Sequence, residues 1–294
     1  MMAKPDPNGP IGVAVVDKAA GLTSHDVVAQ ARKVLGTKKV GHSGTLDPGA
    51  TGVLLLGVGP ATRLLRFLTD LPKTYTTEIV LGVETDTLDD SGVVTETHEM
   101  KGATADAVRA AASDLTGPIE QIPPMVSAVK IDGKRLHELA REGKEVERKP
   151  RSVTVHRFDV ESTDNPMVYR ATVECSSGTY VRTLAADLGT ALGGGAHLRN
   201  LRRTRIGSFG EAEARPVDDA EVLTPAEGLR DYPAITIDEE TAALVANGRV
   251  LPRDVLGVEG HGPWRVLDEL GALRAMYEPR DGDDVKPAVV LPGP

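Results

Sequence analysis

The chain has little cysteine, few aromatic residues and no long apolar run, and each shortage removes a class of protein. A single cysteine, Cys175, excludes an internal disulfide framework and a cysteine-based zinc cluster. The seven histidines are scattered, with no pair at a metal-ligand spacing, so no metal is expected. Nothing has the length of a membrane span. The polar, Pro/Gly-rich start from Met1 to Pro10 is unlike a signal peptide, so a soluble cytoplasmic protein without membrane contact is expected. P-loop and dinucleotide fingerprints are missing too. Aromatic residues are only 3 % of the 294, which makes each one a candidate for a specific task. Apolar residues still reach 40 %, enough for a packed core, and the length suits one large domain plus a small one.

The net charge of −9 argues at first against a nucleic-acid partner. Its distribution argues otherwise. Arg32, Lys33, Lys38 and Lys39 lie between Asp26 and Asp47 with no acid among them. Arg199 to Arg205 holds four arginines, and Lys130 to Arg157 holds nine Lys/Arg against five Asp/Glu. Thr74 to Met100 has no Lys or Arg, and Gly210 to Glu240 is strongly acidic. A basic working face with an acidic back would produce this pattern, although charge runs are also what solvated faces look like.

Periodicity outlines the elements. Ile11 to Val16 reads as a strand. Ser24 caps a helix with Val27, Val28, Ala31, Val34 and Leu35 as its buried stripe, ended by Gly36. Thr37 to Gly52 is a loop, Val53 to Val58 a buried strand, and Ala61 to Leu71 a helix. Lys73 to Val83 alternates, with Tyr75, Thr77, Ile79, Leu81 and Val83 on one face. Thr104 to Leu115 and Thr179 to Leu192 read as helices, Val153 to Val160 and Val168 to Cys175 as strands. The irregular alternation indicates α+β rather than a doubly wound sheet. Ala214 to Pro233 reads as an acidic linker, placing a domain boundary at 232/233. Beyond it, a short helix (Glu239 to Ala246) and strand-like pieces suggest a small β-rich appendage.

The densest cluster of chemistry is Gly41-His42-Ser43-Gly44-Thr45-Leu46-Asp47-Pro48-Gly49-Ala50-Thr51-Gly52. Four glycines in twelve residues permit sharp turns and close approach to another polymer, and Pro48 stiffens the chain after Asp47. Taken alone, Asp-Pro-Gly is an ordinary turn. This stretch, continued by Val53-Leu54, resembles the catalytic signature of the TruB family of tRNA pseudouridine(55) synthases. Asp17-Lys18 with Gly21, Thr23 and Ser24 resembles the family's opening motif, and Lys73-Thr74-Tyr75 its Lys-x-Tyr strand. The segment Leu81-Gly82 to Thr85-Asp86-Thr87, with Asp89 and Gly92, is similar to the element that follows. Gln121 to Glu147 resembles the RNA-gripping insertion (about 121–150), and Cys175-Ser176-Ser177-Gly178-Thr179-Tyr180-Val181-Arg182 a further motif of the catalytic domain. Ala19, where the family usually has Pro, and Val126 and His137, where aromatics are common, depart from the pattern away from the chemistry.

The resemblance implies a pseudouridine-synthase fold, a mainly antiparallel mixed sheet flanked by helices, with a PUA-like RNA-binding domain at about 233–294. It implies that one uridine of the tRNA T-arm is isomerised by a monomer without an obligatory protein partner. The reaction moves the glycosidic bond from nitrogen to carbon with no atoms gained, so neither cofactor nor metal is required. It implies Asp47 as the catalytic carboxylate, its pKa raised by a closed pocket. Arg182 would be its counterion, Tyr75 the surface on which the flipped base stacks, Tyr180 and Leu201 pocket lining, and His42 an RNA contact. Read without the resemblance, Arg182 in the first turn of its helix could form a surface ion pair. Tyr75 could be a core aromatic and His42 a plain loop residue. Trp264 is either core or contact, Cys175 a buried strand residue, and Glu84, Asp86, Asp89 and Asp90 an acidic turn without calcium-loop spacing. Lys130 to Lys149 and Arg199 to Arg205 would contact phosphates. Two other readings stay open: a tRNA-binding folding helper, and a guide-RNA-dependent synthase subunit.

Overall fold

The computed structural model describes residues 9–125, 130–131, 134–135 and 146–291. Most of the expected insertion, with Val126 and His137, lies outside the described residues. The first half of the chain forms β1 (Gly12–Lys18), α1 (Ser24–Val34), β2 (Val40–His42), β3 (Thr51–Val58), α2 (Leu65–Asp70), β4 (Lys73–Leu81), β5 (Val83–Thr85), β6 (Val94–Thr97), α3 (Ala105–Asp114) and β7 (Gly117–Gln121). Then come β8 (Lys130–Ile131), β9 (Lys134–Arg135), β10 (Arg151–Ser162), β11 (Val168–Cys175), α4 (Val181–Ala191), β12 (Ala196–Ile206), β13 (Phe209–Gly210) and β14 (Val222–Leu223). The last strands are β15 (Ala234–Thr236), β16 (Leu251–Pro252), β17 (Trp264–Leu267), β18 (Leu273–Pro279) and β19 (Asp284–Val290).

A large sheet runs β14-β1-β3-β12-β4-β11-β10-β7, with β2 beside β3 and β13 beside β12. A second sheet runs β15-β17-β18-β19-β16. The α+β expectation holds, and the period-two pattern explains why. On β1 and β3, Val13, Val15, Val53 and Leu55 face one core while Ala14, Val16, Leu54, Leu56 and Val58 face another. Both faces are covered, so β3 reads as a continuous apolar run. Burying each of Leu54, Leu55 and Leu56 is worth roughly 1.5–3 kcal/mol. A third core lies under β4, β10 and β11, covered by α3 and α4.

These halves meet where β3 and β12 pair in parallel, Arg202 opposite Thr51 and Arg203 opposite Gly52. Gly52 has φ +103°, and a Cβ there would stand 2.2 Å from the Arg203 carbonyl oxygen. Only glycine lets the strands touch, and the loop carrying Asp47 emerges beside that contact.

Several boundaries differ from expectation for local reasons. Thr23, not Ser24, caps α1 through a reciprocal box with Asp26. Ser24 is buried, and its hydroxyl takes the Leu46 N–H at 2.9 Å, tying the helix to the loop. The helix expected from Ala61 begins as a 3-10 turn, Gly59–Leu64. The Lys73–Val83 strand ends at Leu81, because Gly82 at φ +83° turns the chain into the β5–β6 hairpin. Ala214 to Pro233 is not a linker. Arg215 exchanges hydrogen bonds with the β1 backbone, β14 pairs with β1, and Thr224 and Glu227 cap a helical turn, Pro225–Gly228. Its acids lie on the exposed side of elements that edge the large sheet.

The second sheet packs against the first through Leu273, Met276, Val289 and Leu291, which share a core with Phe67 and Leu68 of α2. Trp264 is 2 % exposed and donates its Nε1–H to the Glu259 carbonyl, which settles it as core. Among the described residues, no helix is long and apolar enough to cross a membrane.

Candidate active site

Where the halves meet, a cavity of about 380 Å³ opens between the Ser43–Asp47 loop, β4, the start of β10 and the Ser176–Arg182 turn. Of the residues singled out from sequence, Asp47, Tyr75, Tyr180, Arg182 and Leu201 all line it. His42 is not among its walls. Its ring packs edge-on to His25 at 5.2 Å, and its Nδ1 accepts the Gly44 N–H at 3.3 Å. Burial, together with the neighbouring charges of His25 and Arg203, lowers the His42 pKa, which favours the neutral ring.

Arg182 donates from Nε to the Asp47 carboxylate at 3.0 Å and from Nη1 to the Thr87 carbonyl at 2.8 Å. Asp89 stands behind the same Nε at 3.7 Å. Sequence places Arg182 beside the buried stripe of α4, but it is only 4 % exposed. The Asp47 loop and the Thr87–Asp89 turn cover it from two sides. A guanidinium tolerates this because it stays charged and its fork suits several acceptors. Asp89 is itself fixed by the Thr87 hydroxyl and the Ser91 N–H, so the acidic turn serves as a brace for the arginine.

Burial raises the Asp47 pKa, and the Asp89 charge pushes the same way, while Arg182 and Lys18 pull it down. The result is a carboxylate held less comfortably ionised than usual, beside a cation that keeps the charged form accessible. Tyr75 is 9 % exposed and paired between Val173 and Arg203 across the sheet. Its phenol pKa is raised, chiefly by burial, so it remains a neutral ring at physiological pH.

Four residues that build this site fall within motifs or stretches noted in the sequence but are given no individual role there. Lys18 is fully buried, donating to the carbonyls of Ala19, Leu22 and Pro48 at 3.0, 2.6 and 3.2 Å, which pins the residue after Asp47. Burial lowers its pKa to about 8. Lys73, also lowered to about 8 by burial, reaches the carbonyls of Thr69 and Leu71. Arg203 is 1 % exposed and donates to Val53 and Gly44 carbonyls. Gln121 clamps the Tyr180 backbone, accepting its N–H at 3.0 Å and donating to its carbonyl at 3.3 Å. Lys73 had a legible signal, since it shares the buried phase of β4 with Tyr75. Gln121 had none, because its partner is 59 residues away.

Cys175 is buried, with its thiol pKa pushed up to about 11 by burial, consistent with a plain strand residue. Among the described residues, one group has the proximity of metal ligands, Glu84, Glu96 and His98 on the β5–β6 hairpin, and none of the three lines the cavity.

The family model described as "TruB family pseudouridylate synthase (N terminal domain)" matches residues 32–181, and that of the "tRNA pseudouridylate synthase B C-terminal domain" matches 182–230. The tRNA pseudouridine synthase B of Rhodococcus jostii (strain RHA1) is 46 % identical over 279 residues, covering 92 % of this chain and 90 % of the relative. That of Symbiobacterium thermophilum is 49 % identical over 245 residues, covering 81 % and 82 %. Among solved structures, a chain of a Cbf5-Nop10-Gar1 complex superposes with a TM-score of 0.70 at 25 % identity, covering 96 % of this chain and 86 % of that one. A chain of an H/ACA RNP bound to substrate RNA shares the fold, with a TM-score of 0.71 at 23 % identity over 99 % of this chain and 92 % of that one.

Proposed function

The chain belongs to the TruB family of pseudouridylate synthases, and we propose that it isomerises uridine 55 in the T-loop of tRNA, with Asp47 as the catalytic carboxylate. The observation that carries this reading is the buried Asp47–Arg182 pair at a cavity walled by Tyr75. A carboxylate is useful here only if it can ionise in a closed site, and the adjoining guanidinium keeps that form within reach. The target base must leave its stack to enter, and Tyr75 offers it a flat neutral face. In the reaction the bond from the ribose C1′ to N1 breaks and a bond from C1′ to C5 forms. C5 then loses its proton and N1 gains one, so atoms and electrons balance within the substrate. Asp47 assists the detachment, Arg182 holds it in place, and Tyr180 and Leu201 confine the freed ring while it turns. His42 acts from outside the cavity, at the loop's outer edge, as an RNA contact.

The second sheet, β15 to β19, would be the PUA-like RNA-binding domain, beginning near residue 233. It is tethered for that role by the Arg63 guanidinium on the Val290 carbonyl at 2.7 Å and by Arg66 on Glu278 at 2.5 Å. Identity of 42–49 % with relatives named tRNA pseudouridine synthase B supports action on tRNA, and we infer that the chain acts as a monomer without a guide or partner subunit.

The test is pseudouridine mapping on unmodified tRNA transcript incubated with the purified protein alone. A single new pseudouridine at position 55 is expected. Folded protein that binds the transcript but leaves every uridine intact would refute the reading in favour of a folding helper or a guide-dependent subunit.

A further inference from the structure

We propose that Arg151, facing the Ser176–Thr179 turn across the mouth of the cavity, holds a backbone phosphate of the RNA next to the flipped uridine. This rests on the function proposed above and adds a subsite to it. Of the cations lining the cavity, three are committed to the protein. Arg182 is bound to Asp47 and Thr87, Arg203 to the Val53 and Gly44 carbonyls, and Lys73 to the carbonyls of Thr69 and Leu71. Arg151 is the fourth. It is exposed at the first position of β10, and its side chain makes no hydrogen bond or ion pair with any described residue.

Its strand fixes where it stands. Arg151 lies opposite Gln121 in the β7–β10 register, and Gln121 is the residue that clamps the Tyr180 backbone at the start of α4. The Arg151 backbone is thereby anchored to the same frame as the Ser176–Thr179 turn. That turn is preset: the Ser176 hydroxyl accepts the Thr154 N–H at 2.9 Å, and the Thr179 hydroxyl donates to the Ser176 carbonyl at 3.0 Å. Gly178 at its tip has φ +84° and open space where a Cβ would lie. Asp47 is the only acid lining the cavity among the described residues.

The chemistry selects the ligand. A nucleotide whose base reaches Asp47 and Tyr75 carries its own phosphates at the entrance, where phosphate contacts set register without reading sequence. An arginine fork matches two phosphate oxygens, which a lysine cannot do.

The experiment measures binding of an unmodified T-arm hairpin to the full-length protein across a salt series, with Arg151→Gln, Arg151→Lys and, as a control, Arg157→Gln. Arg157 lies on the same strand but outside the cavity, paired with Asp159. Arg151→Gln is expected to weaken binding about fivefold at low salt, and to reduce the slope of log affinity against log salt by about 0.7–0.9, one phosphate's worth. Arg151→Lys keeps the slope but not the full affinity, and Arg157→Gln changes neither. Replacing single linkages of the hairpin by uncharged methylphosphonate should weaken wild-type binding most at a linkage flanking the target. Arg151→Gln should lose nothing further there. Wild-type affinity and slope in Arg151→Gln, or undiminished methylphosphonate losses at every linkage in that variant, would overturn the subsite while turnover by the wild type left the parent reading intact. A wild type that neither binds nor converts the hairpin would overturn both.

Discussion

Two cavities share the Asp47–Arg182 pair, and they differ in charge. The larger one, on the Tyr75 side, is lined by Lys73, Arg151, Arg182 and Arg203 against the single acid Asp47. The one behind the pair, about 320 Å³, is lined by Asp47, Asp89 and Asp90 against Arg182 alone. A polyanion is drawn to the first and repelled from the second. The pair is thus a partition. On the proposed reading one side receives RNA, and the other supplies the carboxylates and the Thr87 carbonyl that hold the arginine still. A net charge of −9 is therefore compatible with a locally basic cavity, since Asp89 and Asp90 lie on the far side of the pair from Lys73, Arg151 and Arg203.

Breaking the partition itself should have the largest effect. Arg182→Met removes the partner of Asp47, and turnover on T-arm RNA should fall about 10²–10³-fold in a single-turnover assay. Loss below about tenfold would mean that the pair is not the chemical centre. Asp89→Asn weakens the acidic side only. With Asp89 neutral, the Asp47 pKa should fall, while Arg182 loses its rear brace. A decrease of about 10- to 100-fold in rate at unchanged RNA affinity is expected, and a change confined to affinity would contradict the assignment of Asp89 to positioning.

Lys18→Met tests the loop's anchor from below. Three carbonyls lose their donor, so thermal denaturation should show a loss of about 1–3 kcal/mol, with a matching fall in rate as the Pro48 turn loosens. The smallest effect concerns pH. Lys73 titrates near 8 in the folded protein, below its unfolded value of about 10.4, so the fold disfavours its protonated form. That penalty is complete below pH 8 and fades as pH rises toward 10.4. The wild type should therefore gain stability relative to Lys73→Met across that window in paired melting curves. Parallel curves would show that Lys73 is not desolvated.

The elements with a strict period were legible in sequence. β4 announces its buried face through Tyr75, Thr77, Ile79 and Leu81, and α1 through Val27, Val28 and Ala31. The Asp47 loop was legible through its glycines and its family resemblance. What could not be read was burial of charge. Lys18 and Arg203 look like surface residues because charged side chains usually are, and their partners are backbone carbonyls that carry no sequence signature. Ala214 to Pro233 misled for the opposite reason. Its acids suggest a solvated linker, yet two-residue β14 and the capped turn at Thr224 need only a few apolar contacts to join the sheet edge.

The most direct measurement of the central claim is Asp47→Asn, assayed for RNA affinity and for single-turnover pseudouridine formation on the same preparation. The side chain keeps its size and loses only its charge. Near wild-type affinity with no detectable pseudouridine is the expected result, accompanied by an unchanged or raised melting temperature at pH 7, since the fold disfavours the ionised carboxylate. Residual conversion within about tenfold of the wild type would contradict Asp47 as the catalytic group and with it the reading of the cavity.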